Sequence, residues 1–159
     1  MNHLFKSKMS FSKNKGYWNF VLMKKYLRTL AITLLLFNGV NALYGGWFLI
    51  TDPTGGKLQM PLSYLEHSFF SSYLIPGIIL FITNGISSIL IAALVIAKKK
   101  YAPLLIIVQG SILVGWIVIQ VILLQTFYYL QLVLGFIGLI LILCGYLPAI
   151  RNKSFHSAV

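Results

Sequence analysis

The sequence has little charge, and acidic residues are far rarer than basic ones. Charged residues make up 9% of the 159, with 13 Lys and Arg against 2 Asp and Glu. A water-soluble domain carries about 25% charged residues, so this chain lacks the side chains to cover a surface that faces water. Hydrophobic residues make up 58% of it, and the mean hydropathy is +0.87. These figures exclude a soluble enzyme, a soluble nucleic-acid-binding protein and a disordered tail, and they predict an integral membrane protein.

Cysteine is almost absent as well. The single Cys144 allows no disulfide within the chain, and there is no CxxC motif. This excludes the membrane oxidoreductases that transfer electrons from paired cysteines to a quinone. Cys144 lies in an apolar run, where we expect a small packing residue. In the loop, His67 with Asp52 and Glu66 does not make a metal site. We therefore expect no metal and no other cofactor.

Four apolar runs are long enough to cross a bilayer, whose hydrocarbon core is roughly 30 Å thick. The predicted spans are residues 27–50, 73–97, 102–124 and 130–150. The first follows a basic flank, as in a signal peptide, but it is too long and lacks a small-residue cleavage site, so we interpret it as a retained span. Short connections make neighbouring spans antiparallel. The predicted fold class is therefore all-α, an antiparallel four-helix transmembrane bundle.

Basic residues are concentrated on one side of the predicted bundle. Seven lie before the first apolar run or, as Arg28, at its start, three lie at 98–100 and two follow the last span, whereas Lys57 shares the opposite side with both acids, Asp52 and Glu66. By the positive-inside rule, both termini are expected in the cytoplasm. We favour this interpretation, with contact to anionic headgroups, over nucleic-acid binding.

The sequence predicts one transmembrane domain between two tails. Residues 1–23 are basic and polar, and we expect a flexible cytoplasmic tail with little fixed structure, although translation could also start at Met23. Residues 24–151 form the transmembrane domain, and residues 152–159 form a short cytoplasmic tail. No internal repeat is evident.

The only substantial loop, residues 51–72, holds the reactive side chains of the chain. Apolar residues at helical spacing predict a short amphipathic helix in the outer interface, at about residues 61–68. Ser, His and Asp all occur here, but no strand–turn–helix elbow positions a nucleophile. Glu66 and His67 are adjacent, so on a helix they would point about 100° apart. We therefore assign no catalytic residue and favour a protein that is not an enzyme, without excluding one.

Polar and small residues form a stripe on each predicted span. Beyond Arg28, which opens the first span, no Asp, Glu, Lys, Arg or His lies in any span. This argues against proton-coupled transporters, ion pumps and intramembrane metalloenzymes, which keep an ionisable group at mid-membrane. We interpret the stripes as contacts between helices, because lipid offers no hydrogen bonds and small residues let backbones approach. The stripes are Ala31, Leu34, Asn38, Asn41 and Gly45; Gly77, Phe81, Asn84, Ser88 and Ala92; Gln109, Trp116 and Gln120; and Gln131, Gly135, Gly138, Ile142 and Gly145.

The alternative interpretation of these polar side chains is a binding site. It would take a lipid or a small hydrophobic ligand at the outer leaflet, with or without chemistry on the lipid. The candidate ligand-binding residues are Asn41, Tyr64, Glu66, Asn84, Trp116 and Gln120.

Several motifs cluster around the loop. They are Leu43–Gly55, with Gly-Gly and Asp-Pro-Thr-Gly, then Met60-Pro61-Leu62, then Tyr73–Gly77, together with Gly115–Gln120 in span three. The pattern resembles a group of small four-span bacterial membrane proteins of unknown function, over about residues 24–150. The resemblance implies a multi-pass protein of the bacterial inner membrane and brings no reaction or substrate. We expect a protein that packs with lipids, with a partner membrane protein or with copies of itself.

Overall fold

A computed structural model describes residues 2–66, 68–124 and 128–156, and these residues contain helices and no β-strand. The four long helices are α1 (Asn2–Thr51), α2 (Leu74–Ile96), α3 (Ala102–Leu124) and α4 (Tyr129–His156). Each contains a segment long and apolar enough to cross a membrane. The segments are Val21–Thr51, Leu74–Ile96, Ala102–Ile122 and Tyr129–Pro148. The prediction of an all-helical chain with four such helices is confirmed.

Two helices extend beyond the predicted spans. The backbone is helical from Asn2, which differs from the expectation of little fixed structure in residues 1–23. Nothing in the sequence ends a helix here, because the first proline of the chain is Pro53. Similarly, α4 continues to His156 with Pro148 inside it, past the predicted end of the span at residue 150.

The helices pack as two pairs, α1 with α2 and α3 with α4, and the pairs meet where α1 packs on α4 and α2 on α3. A Cβ on Gly39 would lie 2.7 Å from the Ile89 side chain, and one on Gly46 would lie 2.9 Å from the Phe81 Cα. The main core lies between the pairs and includes Cys144, which is 4% exposed, as expected for a packing residue.

Hydrogen bonds to the Asp52 carboxylate hold the loop between α1 and α2. The carboxylate accepts hydrogen bonds from the Thr54 hydroxyl at 2.5 Å and from the Lys57 N–H at 2.8 Å. Gly55 adopts a φ of 78°, and a Cβ there would collide with the Met60 carbonyl oxygen. A side chain at this position is therefore strained whatever its size.

The predicted amphipathic helix at about residues 61–68 takes the form of one 3-10 turn, Leu62–Leu65. Leu65 is buried against Leu49 and Tyr73 in a small core of its own. His67 and residues 125–127 lie outside the described residues.

Candidate functional site

The middle of α2 departs from α-helical geometry. Residues Leu80–Ile86 form a π-helical segment between the α-helical stretches Leu74–Ile79 and Ser87–Ile96. Such segments are rare and often occur at functional sites. Buried and half-buried polar side chains from three helices meet at this segment, and we call them the interior polar cluster. Its members are Asn38 of α1, Thr83, Asn84, Ser87 and Ser88 of α2, and Gln109 of α3.

Asn38 joins α1 to the π-helical segment. Its side chain is 2% exposed, and its amide nitrogen lies 3.0 Å from the Ser88 hydroxyl and 3.4 Å from the Asn84 main-chain oxygen. A side-chain amide has two N–H groups, so both donors of Asn38 have an acceptor on α2.

Gln109 makes the matching connection from α3. It is fully buried, its Nε2 donates to the Thr83 main-chain oxygen at 3.1 Å, and its Oε1 accepts from the Ser87 hydroxyl at 2.6 Å. The Ser87 hydroxyl also lies beside the Thr83 carbonyl oxygen. The two amides thus bond main-chain oxygens of the π-helical segment from opposite sides.

Asn84 lies at the centre of the cluster and is fully buried. Its Nδ2 donates to the Thr83 hydroxyl at 3.3 Å, whereas its Oδ1 is buried and has no hydrogen-bond partner among the described residues. An unsatisfied buried acceptor costs about 1–3 kcal/mol. Asn84 Oδ1 can therefore accept a hydrogen bond from a small molecule that reaches it.

A second polar contact lies at the end of the bundle that carries the loop. The hydroxyls of Tyr64 and Tyr128 are 2.6 Å apart, and the Tyr73 hydroxyl donates to the Pro61 carbonyl oxygen at 2.9 Å. The hydrogen bond to Tyr64, followed by desolvation, raises the pKa of Tyr128 above its ordinary value of 10.0. This tyrosine pair ties the loop after α1 to the start of α4.

The structure places the six candidate binding residues in different surroundings. Asn41 is exposed and donates to the Phe37 carbonyl oxygen of its own helix at 2.7 Å. Glu66 is exposed, Tyr64 is held by Tyr128, and Trp116 is half-buried against the main core. Gln120 is half-buried, and Asn84 alone belongs to the interior polar cluster.

Sequence reasoning placed Asn38, Asn84, Ser88 and Gln109 on interior stripes but missed Thr83 and Ser87. The signal was present, because Thr83-Asn84 and Ser87-Ser88 are adjacent polar pairs four residues apart in an apolar span. On a regular α-helix, adjacent residues face different directions, so the stripe included one of each pair. The π-helical segment brings members of both pairs to the same set of neighbours.

The chemistry open to the interior polar cluster is hydrogen bonding. All of its side chains are amides or hydroxyls, and none has an ordinary pKa near neutrality. Within the described part of the chain, no group of three or more His, Cys, Asp and Glu could hold a metal ion.

Comparison with protein-family models, curated proteins and solved structures finds no match to this chain. The resemblance to small four-span bacterial membrane proteins therefore stays a prediction.

Proposed function

We propose that this chain is a non-enzymatic integral membrane protein, an antiparallel four-helix bundle. In this proposal the interior polar cluster holds the helices together, and the outer surface packs against lipids, a partner membrane protein or a second copy. One observation carries the proposal: the amides of Asn38 and Gln109 donate to α2, including main-chain oxygens of its π-helical segment. Interhelical hydrogen bonds in lipid are worth about 0.6–2 kcal/mol each, so these bonds act as structural ties.

The register of the glycine contacts supports the antiparallel arrangement. Along α3 and α4, a Cβ on Gly110 would lie 2.6 Å from the Gly138 oxygen, and one on Gly145 would lie close to Pro103 and Ile107. Rising numbers on one helix face falling numbers on the other, as between α1 and α2.

Exposed apolar side chains support a lipid environment. Large hydrophobic residues are exposed on all four long helices, among them Phe37, Leu90, Ile122 and Phe136. Surfaces of this extent do not face water in a soluble monomer. Near the loop, Trp47 and Tyr129 are exposed as in an aromatic belt, and a fully exposed Phe69 next to the 3-10 turn favours an interfacial position for that turn.

The charge distribution supports an orientation with both termini in the cytoplasm of a bacterial inner membrane. Residues 98–100 are lysines in the turn between α2 and α3, whereas Asp52 and Glu66 lie in the loop at the other end. A C-terminal tag should stay protected from a membrane-impermeant reagent in intact cells, and labelling from outside would reverse the orientation.

The proposed function is tested by extracting the protein with its native lipid in polymer nanodiscs and identifying what co-purifies by mass spectrometry. Bilayer lipids, a second membrane protein or a multiple of this chain is the expected result. Turnover of a lipid by the purified protein would contradict it.

Asn84 favours a second candidate function, the binding of a small molecule that donates a hydrogen bond. Its Oδ1 is buried without a partner in a site that holds no charge. A molecule retained in stoichiometric amount by the wild type and lost from Asn84→Leu, with the bundle still folded, would favour this candidate over the structural one.

A further inference from the structure

The end of the bundle opposite the loop contains a half-buried arginine on α1. The Nε of Arg28 is buried and has no hydrogen-bond partner among the described residues. A guanidinium is always charged and carries five N–H donors. A buried donor of this kind is stabilised when an anionic acceptor reaches it.

Three lysines follow the end of α2, at the same end of the bundle as Arg28. Gly39 faces Ile89. Eleven residues, about three turns of α1, lead back from Gly39 to Arg28, and α2 runs about two turns on from Ile89 to its end at Ile96, after which Lys98, Lys99 and Lys100 lie in the turn to α3. Ala31, three residues after Arg28, and Val95, three residues before Lys98, are buried in the same core cluster. We call this region the basic end, defined by Lys24, Lys25, Arg28, Lys98, Lys99 and Lys100.

No acidic side chain is available to the basic end. The only acids of the chain are Asp52, which follows the far end of α1, and Glu66, in the loop. The side chains of Lys25, Lys98, Lys99 and Lys100 are exposed. Like charges gathered at one end repel one another, and an anion bound among them relieves that repulsion.

Apolar surface lies directly beside these cations. Tyr26, Leu30, Tyr101 and Leu104 are all exposed at or next to the basic end. Tyrosines at this end suit a headgroup region, and the leucines suit acyl chains. A lipid satisfies both features at once, whereas free phosphate satisfies only the charge.

We propose that the basic end binds the phosphate of an anionic phospholipid, with the Arg28 guanidinium as its principal ligand and the lysines adding positive charge around it. This inference rests on the proposed function, since it requires the bundle to be in a membrane. Arg28 suits the role because a guanidinium bonds phosphate oxygens through two parallel N–H groups, which an ammonium does not reproduce.

The test compares the wild type with three variants in mixed micelles of phosphatidylcholine and phosphatidylglycerol, with bound lipid counted by native mass spectrometry. We expect wild type to retain phosphatidylglycerol selectively. Arg28→Gln should weaken retention by about tenfold or more, as expected for loss of a charge-assisted pair. The matched control Lys99→Gln removes the same charge from an exposed position and should cost about fivefold or less. Arg28→Lys keeps the charge and should still show a clear loss.

Equal losses in Arg28→Gln and Lys99→Gln would overturn the proposal, because they would indicate a diffuse charge effect. If inorganic phosphate displaces the lipid, the ligand of the basic end is a free anion and not a lipid. If Arg28→Gln does not fold, full retention by a folded Arg28→Lys would still exclude bidentate binding. Failure of the proposed function is distinguishable, since the wild type would then be extracted from membranes by alkaline carbonate.

Discussion

The two helix pairs are held together by different kinds of contact. Helices α1 and α2 meet through glycines and also through the hydrogen bonds of Asn38 with Ser88 and Asn84. Helices α3 and α4 meet through glycines, and among the described residues no side-chain hydrogen bond joins them. Gly110 and Gly138 lie so close that a Cβ on either would be 3.0 Å or less from the other's oxygen.

The difference follows from the geometry of α2. A regular α-helix satisfies its own interior carbonyl groups, so two regular helices need only small residues to approach each other. The π-helical segment of α2 offers the main-chain oxygens of Thr83 and Asn84 to side chains, and amides of α1 and α3 bond them. Polar residues thus gather where the backbone is irregular, and glycine suffices where it is regular.

The largest expected effect comes from Gly110→Ala, which tests the glycine-based pair. The new Cβ would lie 2.6 Å from the Gly138 main-chain oxygen and 2.9 Å from the Ile142 Cγ1. The helices must separate, at a cost of about 3 kcal/mol. The free energy of unfolding in mixed detergent micelles, followed by circular dichroism, measures it.

Gly115→Ala is the matched control on the same helix. A Cβ on Gly115 has no neighbour within 4 Å, so this change should be neutral or stabilising by about 0.5–1 kcal/mol. Equal destabilisation by the two substitutions would mean that close approach does not hold this pair together.

The next largest effect is expected for Gln109→Leu, which tests the polar ties on α2. The Thr83 oxygen and the Ser87 hydroxyl would lose their partner on α3, at about 1–2 kcal/mol. Gln120→Leu on the same helix is the control, because Gln120 is half-buried and makes no hydrogen bond within the described residues. A loss no greater than in the control would contradict the structural role of the cluster.

The sequence predicted the helical class and the four spans because each span is a long apolar run. Such a run is recognised from the hydropathy of its side chains alone. It also placed Asn84, Ser88 and Gln109 in the interior, since an amide or hydroxyl in lipid turns toward other helices. The contact of Tyr64 with Tyr128 and the contacts of Asn84 with its neighbours could not be predicted, because they depend on the path of the loop and on the π-helical segment. The helical backbone before residue 24 was not predicted, because the basic and polar composition of this segment was taken to indicate a flexible tail.

A smaller effect is expected where the loop between α1 and α2 meets the start of α4. Tyr64→Phe removes the hydrogen bond to Tyr128, which at this exposed site is worth about 0.5–1 kcal/mol. Amide hydrogen exchange should rise in the loop around the Leu62–Leu65 turn and stay unchanged at the centre of α3. The control is Tyr129→Phe, since Tyr129 is exposed and makes no hydrogen bond through its hydroxyl among the described residues. The same rise in both variants would show that the tyrosine pair does not hold the loop.

The smallest expected effect is a pH dependence of amide exchange in the loop between α1 and α2, which the connection between α3 and α4 should not share. The hydrogen bond from the Thr54 side chain, with that from the Lys57 N–H, lowers the pKa of Asp52 below its ordinary value of 3.8. A lowered folded-state pKa gives a stabilisation that is complete above the unfolded value and is lost as pH falls through the folded one. Amide exchange at residues 54–57, corrected for its intrinsic pH dependence, should therefore accelerate below about pH 4. Asp52→Asn should abolish this acceleration. The connection between α3 and α4 has no acidic residue and should show no such change, so acceleration in both connections would point to general acid unfolding instead.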